Sequence, residues 1–443
     1  MIRSGMLDQL WTSIADAGRE LVRGRLGGRR RASVQNLCRD LLSTKGEASG
    51  AALARELVES YRTMIEPERL GFFVMLAEDY GADAARILAA VEAYRGNPSP
   101  AAVQALRRAC EAPRHELFRR INIAPGGTRA IVDLRAQLLG HLPSHPELAA
   151  VDADIHDLLS GWFNPGFLTF TRIDWNSPAS LLEKFLRYEK VHRMRALEDL
   201  KRRLAADRRC FAFFHPALPD EPLIFVEVAL VDGMASRVQP LIDPLAPVGD
   251  PASADAAIFY SINNCLEGLR GVTLGNFLIK LVVADLAREL PEVKTYATLS
   301  PIPGFAGWLR EALADESETS LADADRGQLM ALNTPNWPSD HESAERLRAP
   351  LSRLCARYLA REKRNGRPRD PVARFHLGNG ARLERINWLG DLSAKGMAES
   401  LGLLVNYKYD TAMIERNHEA YTNNGDVVMS AAVKALLPTN TLS

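Results

Sequence analysis

Cysteine is scarce in this 443-residue sequence, and its five cysteines stand singly along the chain. No two of them have the close spacing that holds zinc or an iron–sulfur cluster. No other metal-ligating residue stands at ligand spacing from His376 either, so we predict no metal site. Unpaired cysteines are typical of a reducing compartment, and we predict a cytoplasmic location.

The sequence also lacks a net charge and a long apolar run. Lys plus Arg number 55 and Asp plus Glu number 55, so we expect neither nucleic acid nor an anionic membrane as a partner. A basic stretch at 23–31 is interrupted by glycines and has no aromatic residues, which favours a solvated loop over a phosphate-binding surface. No run approaches about 18 apolar residues, and the N-terminal segment mixes acids and bases, so neither a membrane span nor a secretory signal is predicted.

The length of the chain predicts two domains, because single cores stop growing near roughly 250 to 300 residues. The composition of the chain indicates where they divide. Residues 1–163 are rich in Ala, Leu, Arg and Glu, which predicts a helical bundle without a polar site of its own. Within it, Thr128 is the predicted N-cap of a helix. Residues 164–443 mix β-type and helical segments, which predicts an α+β or α/β layered domain.

Alternating and β-branched segments predict the strands of this second domain, and helical spacing predicts its helices. The predicted strands are Phe167–Trp175, Arg209–His215, Leu223–Leu230, Ala256–Ser261, Val293–Leu299 and Leu383–Trp388, and the predicted helices are Leu181–Leu204 and Gly275–Leu290.

A glycine-rich turn follows the strand at 256–261 and leads into a helix. Such a turn can bind an anion, because free backbone N–H groups and the helix dipole point to one place. Its spacing fits neither a Walker loop nor a dinucleotide fingerprint, and three glycines before a helix are also typical of an ordinary turn. The turn resembles the coenzyme A loop of acetyltransferase-like (GNAT) folds, which implies a bound pyrophosphate. The predicted coenzyme A-binding residues are Arg270, Gly271, Val272, Thr273, Leu274 and Gly275.

Two polar residues stand in apolar company farther along the chain. Ser300 ends a strand and precedes two prolines, which hold its hydroxyl on a stiff loop. His376 follows a segment in which Pro368 and Pro371 argue against a helix. A serine bonded within a turn and a structural histidine are the plain alternatives, and the residues alone leave them open.

Six ordered blocks between Gly166 and Tyr409 closely resemble the malonyl-CoA decarboxylase family. The blocks are Ala257-Ile-Phe-Tyr-Ser-Ile262, Gly275-Asn-Phe-Leu-Ile-Lys280, Leu299-Ser-Pro-Ile-Pro-Gly-Phe305, Asn379-Gly-Ala381, Arg385-Ile-Asn-Trp388 and Asn406-Tyr-Lys-Tyr409. The resemblance implies an α+β chain in which a helical oligomerisation domain, forming dimers or tetramers, precedes a GNAT-like catalytic domain. It also implies that Ser300, His376 and Tyr409 are catalytic. Thr273 stands where the family has an acidic residue, which puts in doubt a carboxylate orienting the histidine from that turn.

The implied reaction converts malonyl-CoA to acetyl-CoA and carbon dioxide without a cofactor, since the thioester carbonyl can accept the electron pair. We expect Ser300 and Tyr409 to donate hydrogen bonds to the malonyl carboxylate or the enolate, and His376 to protonate the α-carbon. Two alternatives use the same fold. A GNAT acyltransferase requires an acceptor groove and a base that the sequence does not show, and a non-catalytic acyl-CoA sensor leaves Ser300 and His376 unexplained.

Overall fold

The computed structural model describes residues 33–43, 46–272, 274, 278–314, 323–334 and 336–437. The basic stretch at 23–31 and two residues of the predicted coenzyme A turn, Thr273 and Gly275, lie outside these ranges. The described chain forms two compact units. The first comprises residues up to 169 together with 213–223 and 264–275, and the second comprises 170–212, 224–263 and the residues from 276 onward. The domain boundary after residue 163 stays a prediction.

The first unit is helical, as its composition predicts. Polar caps start some of its helices: the Asp83 carboxylate accepts the N–H of Ala85 at 2.8 Å, and Ser99 Oγ accepts that of Ala102 at 3.2 Å. The helices that the structure describes here are α1 (Val34–Ser43), α2 (Glu47–Arg62), α3 (Glu66–Glu78), α4 (Ala84–Gly96), α5 (Pro100–Cys110), α6 (Pro113–Ile123), α7 (Gly127–His141) and α8 (Ala149–Trp162).

Helix α7 begins differently from the prediction that Thr128 caps it. Its N-cap is Gly126, whose φ of 72° lies in the left-handed region that favours glycine. A Cβ on Gly127 would lie 2.0 Å from the carbonyl oxygen of Ile121, so α6 and α7 meet too closely for a side chain there. Thr128 instead donates to Asn122 Oδ1 at 2.7 Å. The N-cap prediction was wrong because tertiary packing, not the local cap, decides this helix start.

The glycine-rich turn packs on α7 within the same unit. A Cβ on Gly268 would lie 1.9 Å from the carbonyl oxygen of Val132. Arg135, 3% exposed, donates through Nη1 to the carbonyl oxygens of Gly268 at 2.7 Å and Arg270 at 2.8 Å. Its Nε is held by Asp152 at 2.8 Å. Helix packing therefore accounts for the glycine at 268.

The second unit is built on a mixed seven-stranded sheet in the order β1-β2-β3-β4-β5-β9-β8. All six predicted strands are present, with ends shifted by a few residues, whereas β9 was not predicted as a strand. The parallel β4–β5 pair, joined through a helix, and the antiparallel β5–β9 and β9–β8 pairs make this a mixed sheet, as the resemblance implied. The strands are β1 (Thr169–Ile173), β2 (Arg208–Phe214), β3 (Ile224–Val231), β4 (Ala256–Asn264), β5 (Thr295–Thr298), β6 (Lys363–Arg364), β7 (Arg367–Pro368), β8 (Arg382–Asn387) and β9 (Leu404–Lys408), of which β6 and β7 form a separate hairpin.

One helix prediction in this unit was wrong in part. Residues predicted as a single helix at 181–204 form two helices, because the buried carboxylate of Glu189 accepts the N–H groups of Val191 and His192, both at 2.7 Å, and turns the chain. The predicted helix at 275–290 is described from Leu278. The helices of this unit are α9 (Ala179–Tyr188), α10 (Leu197–Arg203), α11 (Gln239–Ile242), α12 (Leu278–Glu289), α13 (Phe305–Ala314), α14 (Asp323–Leu329), α15 (His341–Ala360), α16 (Pro371–Gly378), α17 (Ala394–Ser400), α18 (Ile414–Asn424) and α19 (Ala431–Lys434).

The two faces of the central strands have different chemistry. Residues at alternating positions, among them Ile258, Ala297 and Leu299, form an apolar cluster that packs one face. Because side chains alternate along a strand, Thr298 and Ser300 lie on the opposite face. One face of these strands therefore packs the hydrophobic core. The opposite face carries the polar side chains of Thr298 and Ser300.

Replacing Gly268 with alanine is expected to destabilise the helical unit by about 1 to 3 kcal/mol, because the new methyl group would overlap the Val132 carbonyl. Urea denaturation followed by circular dichroism measures the change. Gly140, in α7 with nothing within 4 Å of an added Cβ, is the matched control. Gly140→Ala should keep or raise stability, whereas equal stability of the two variants would contradict the packing argument.

Candidate active site

Ser300 lies two residues beyond the end of β5 and pairs with Val405 of β9. Its N–H donates to the Val405 carbonyl at 2.8 Å, and the Val405 N–H donates back to the Ser300 carbonyl at 3.0 Å. The two prolines that follow end the pairing, as the sequence predicted. The serine is only 5% exposed, so its hydroxyl has little contact with bulk water.

His376 lies in helix α16, which contradicts our expectation that proline would prevent a helix before it. Pro371 occupies the first helical position, where its missing N–H leaves no bond unmade. The buried carboxylate of Asp370 caps the same turn by accepting the N–H of Ala373 at 2.7 Å. The sequence signal was therefore a helix start, and we interpreted it as a helix stop.

The structure brings the three predicted catalytic residues into direct contact. Ser300 Oγ lies 3.1 Å from His376 Nε2, and His376 Nδ1 lies 2.8 Å from the Tyr409 hydroxyl. Ser300 Oγ also donates to Thr298 Oγ1 at 2.9 Å. These four side chains form one hydrogen-bond chain, and all are buried.

The direction of the hydrogen bonds in this chain follows from proton acidity. A phenol is a stronger acid and donor than an aliphatic alcohol, and the imidazole is the only hydrogen-bond partner of the Tyr409 hydroxyl among the described residues. Tyr409 is therefore assigned as the donor to Nδ1. Nε2 then carries the ring proton and donates to Ser300 Oγ, which agrees with the donation from Ser300 to Thr298.

Burial controls the charge of the site. It lowers the pKa of His376 from 6.5 to about 3, so the imidazole is neutral at physiological pH. It also raises the pKa of Tyr409 well above its ordinary value. Among the described residues, the two side chains bonded to the imidazole are thus neutral hydroxyls.

Tyr407 fixes the plane of the imidazole. Its ring stacks on that of His376, with centroids 4.7 Å apart and an interplanar angle of 25°. The ring of Phe259, in β4, packs near that of Tyr409, and the two ring centroids are 6.3 Å apart. The ring of the histidine is thus held by packing as well as by hydrogen bonds.

Sequence reasoning missed three residues of the site: Thr298, Tyr407 and Asp370. Thr298 lies in a predicted strand, and Tyr407 lies in one of the blocks that resemble the family. Nothing in their sequence spacing indicates that they are neighbours of His376. Asp370 could have been found, since Asp followed by Pro is the usual sequence of a helix N-cap and first position.

The predicted coenzyme A-binding residues lie in the helical unit, apart from those outside the described ranges. Gly271 has a φ of 82°, a conformation that favours glycine. Arg270 pairs with Glu267 at 2.8 Å, and its side chain is 61% exposed, so it can reach a ligand. Val272 and Leu274 are buried and have a packing role.

The described residues were compared with the requirements of a metal site and of a membrane span. Within the described ranges, no group of three His, Cys, Asp or Glu side chains is arranged to hold a metal ion. None of the helices in these ranges has the length and hydropathy to cross a bilayer. The fold and site define an α+β protein with buried hydroxyl and imidazole groups on one face of a mixed sheet.

Comparison with known proteins gives the family. The family models described as the malonyl-CoA decarboxylase N-terminal and C-terminal domains match residues 80–163 and 166–443. Crystal structures of malonyl-CoA decarboxylase from Rhodopseudomonas palustris and Agrobacterium vitis are each 48% identical and cover 92% of this chain and 100% of their own, with TM-scores of 0.89 and 0.86. The mitochondrial malonyl-CoA decarboxylase of Anser anser anser is 37% identical over 425 residues, 88% of this chain and 84% of its own.

The chain therefore belongs to the malonyl-CoA decarboxylase family. The predicted activity, a carboxy-lyase reaction on malonyl-CoA, is confirmed by these comparisons. They support neither of the two alternatives, the acyltransferase and the non-catalytic sensor.

Acid should destabilise the enzyme partly through His376. Its folded pKa of about 3 lies below the ordinary 6.5, so as pH falls from 6.5 the unfolded chain takes up a proton that the folded chain does not. Between these pH values the histidine should lower the unfolding free energy by up to about 1.4 kcal/mol per pH unit. Urea denaturation of the wild type and of His376→Asn at several pH values measures this slope.

The variant should show the shallower loss of stability with acid. The raised pKa of Asp370 is common to both proteins, so it does not affect the difference. Parallel stability curves in the two proteins would show that His376 does not carry this penalty.

Proposed function

We propose that Ser300, His376 and Tyr409 carry out the decarboxylation of malonyl-CoA. The observation that carries the proposal is their continuous hydrogen-bond chain, with 3.1 Å between serine and imidazole and 2.8 Å between imidazole and phenol. Three polar groups from a loop, a helix and the end of a strand converge, and all three are buried. Hydrogen bonds to a developing charge are strongest in such a place.

The chemical step moves one electron pair. The bond between the α-carbon and the malonyl carboxylate breaks, carbon dioxide leaves, and the pair forms an enolate on the thioester. The Ser300 O–H stabilises the enolate oxygen, and its donor strength is increased because Nε2–H donates to the same Oγ. The enolate then collapses as its α-carbon takes a proton, which gives acetyl-CoA.

His376 is the proton donor in this scheme. In the free enzyme it is neutral, since burial holds its pKa near 3. The anionic malonyl group, once bound beside the imidazole, raises that pKa because an opposite charge favours the protonated form. The histidine takes up a proton at Nδ1 with the substrate, so the Tyr409 hydroxyl turns from donor to acceptor. Nε2 then releases its proton to the α-carbon, and exchange of the remaining ring proton from Nδ1 to Nε2 restores the free enzyme.

For Tyr409 we propose a role that differs from the one expected from the sequence. Its hydroxyl lies on Nδ1, across the ring from the nitrogen that contacts Ser300. We therefore assign Tyr409 to fix the tautomer and orientation of the imidazole, rather than to donate to the malonyl carboxylate or the enolate as expected from the sequence. Ser300 remains the residue assigned to the enolate.

Coenzyme A recognition by the glycine-rich turn is a second part of the proposal. The left-handed Gly271 and the exposed Arg270 support it, since a backbone without a Cβ and a mobile guanidinium suit a phosphate. Self-association of the helical unit into dimers or tetramers is also proposed. A cytoplasmic location is also proposed, and five cysteines that stand singly along the sequence support it.

Removing the proposed donors should reduce turnover of malonyl-CoA in folded protein. Ser300→Ala is expected to lower kcat by about 10²- to 10³-fold, the usual loss for one donor to an oxyanion. His376→Asn should lower it by about 10²- to 10⁴-fold, as expected for a general acid. Tyr409→Phe should cost less, because the ring stays in place. Acetyl-CoA formation, measured in single-turnover and steady-state assays, gives these values.

Ser352→Ala and His341→Asn are the matched controls, since both residues lie on α15 and take no part in the chain. They should keep wild-type turnover. If folded Ser300→Ala and His376→Asn also kept it, the catalytic assignment would be wrong.

Arg270→Ala should weaken substrate binding with little change in chemistry, because the guanidinium would contact only the nucleotide part. We expect KM for malonyl-CoA to rise about 5- to 20-fold at unchanged kcat, as for loss of one charge-assisted contact. Arg95→Ala is the control, since that arginine is likewise an exposed member of an i,i+3 ion pair in the helical unit. An unchanged KM in Arg270→Ala would remove this residue from the binding site.

A further inference from the structure

Thr298 lies at the end of the hydrogen-bond chain, two residues before Ser300 on the same face of the sheet. Its side chain is completely buried. Thr298 Oγ1 accepts the Ser300 O–H at 2.9 Å and the Tyr407 N–H at 3.1 Å. A hydroxyl has two acceptor positions, so both are used, and the oxygen serves as a fixed acceptor.

The neighbouring strand holds Thr298 from its backbone side. Asn406 Nδ2 donates to the Thr298 carbonyl at 2.6 Å, and Asn406 Oδ1 accepts from Asn387 Nδ2 at 2.8 Å and Arg385 Nε at 3.1 Å. Threonine is also stiff at χ1 because it is β-branched. The position of Oγ1 is therefore set by the sheet and does not depend on the substrate.

We propose that Thr298 is a positioning residue that sets the direction of the Ser300 hydroxyl. Because Thr298 accepts the serine proton in the free enzyme, a lone pair of Ser300 Oγ faces Nε2–H of His376. When the substrate is bound, the serine O–H turns from Thr298 Oγ1 to the developing enolate oxygen, while Nε2–H stays on Ser300 Oγ. Until then Thr298 keeps the serine proton from the imidazole, which would otherwise make the serine a nucleophile. The inference rests on the proposed function of Ser300 and deepens it.

Without the threonine oxygen, the Ser300 hydroxyl can turn its proton toward Nε2. That arrangement reverses the chain, since Nε2 would become an acceptor and Nδ1 would have to carry the ring proton. The donor that the enolate needs would then be partly lost. The defect should appear in the chemical step, because the threonine itself does not contact the substrate.

A pair of substitutions separates the oxygen from the shape of the side chain. Thr298→Val keeps the volume and the β-branch but removes the oxygen, and we expect kcat to fall about 10- to 100-fold with KM changed less than about threefold. Thr298→Ser keeps the oxygen and should stay within about threefold of the wild type. Steady-state decarboxylation of malonyl-CoA and thermal unfolding are measured for both. Thr298→Ala replaces the valine variant if the latter does not fold.

The decisive measurement repeats Thr298→Val in the Ser300→Ala background. If threonine acts only through the serine hydroxyl, the double variant should have the same kcat as Ser300→Ala, so that the two losses are not additive. Three results would each overturn the proposal. The first is a further 10-fold loss of kcat from Thr298→Val in the Ser300→Ala background. The others are a Thr298→Ser enzyme as slow as Thr298→Val, and a Thr298→Val enzyme with wild-type kcat. Wild-type turnover by Ser300→Ala would instead overturn the proposed function itself.

Discussion

The site depends on one buried imidazole, whose side-chain partners among the described residues are hydroxyls rather than carboxylates. His376 lies between Ser300 and Tyr409, and burial keeps it neutral. A histidine with a carboxylate partner would be drawn toward the charged form and would act on a neutral substrate as a base. In the proposed reaction the substrate brings the negative charge, and oriented neutral donors are the partners that an enolate requires.

The rest of the second unit makes this burial possible. The apolar face of the central strands packs a core around Ile258 and Leu299, which leaves the opposite face to carry Thr298 and Ser300. Helix α16 brings the histidine to that face, and the Tyr407 ring stacks on it at 4.7 Å. These contacts restrict rotation of the imidazole. The restriction matters because the strength of each hydrogen bond depends on its angle.

Much of the architecture could be predicted from local sequence. The helical first half, the strands at 208–214 and 224–231, and the change in composition near residue 164 follow from propensity and periodicity. Predictions failed where a specific side-chain or packing contact, rather than propensity, decided where a helix starts or ends. Glu189 ends a helix that its neighbours would continue, and Gly127 begins one because α6 lies against it. Pro371 misled us for a different reason, since proline is unfavourable within a helix but suitable at its first position.

Family resemblance in the sequence was enough to determine the reaction and to single out Ser300, His376 and Tyr409, because the chemistry of a decarboxylase restricts which groups can stand in those blocks. Tertiary structure alone decided how they cooperate. The three residues lie up to 109 positions apart, counted from Ser300 to Tyr409, so no periodicity could show that serine and phenol bond opposite nitrogens of one ring. Only packing could show that Thr298 holds the serine proton and that burial removes the charge of the histidine.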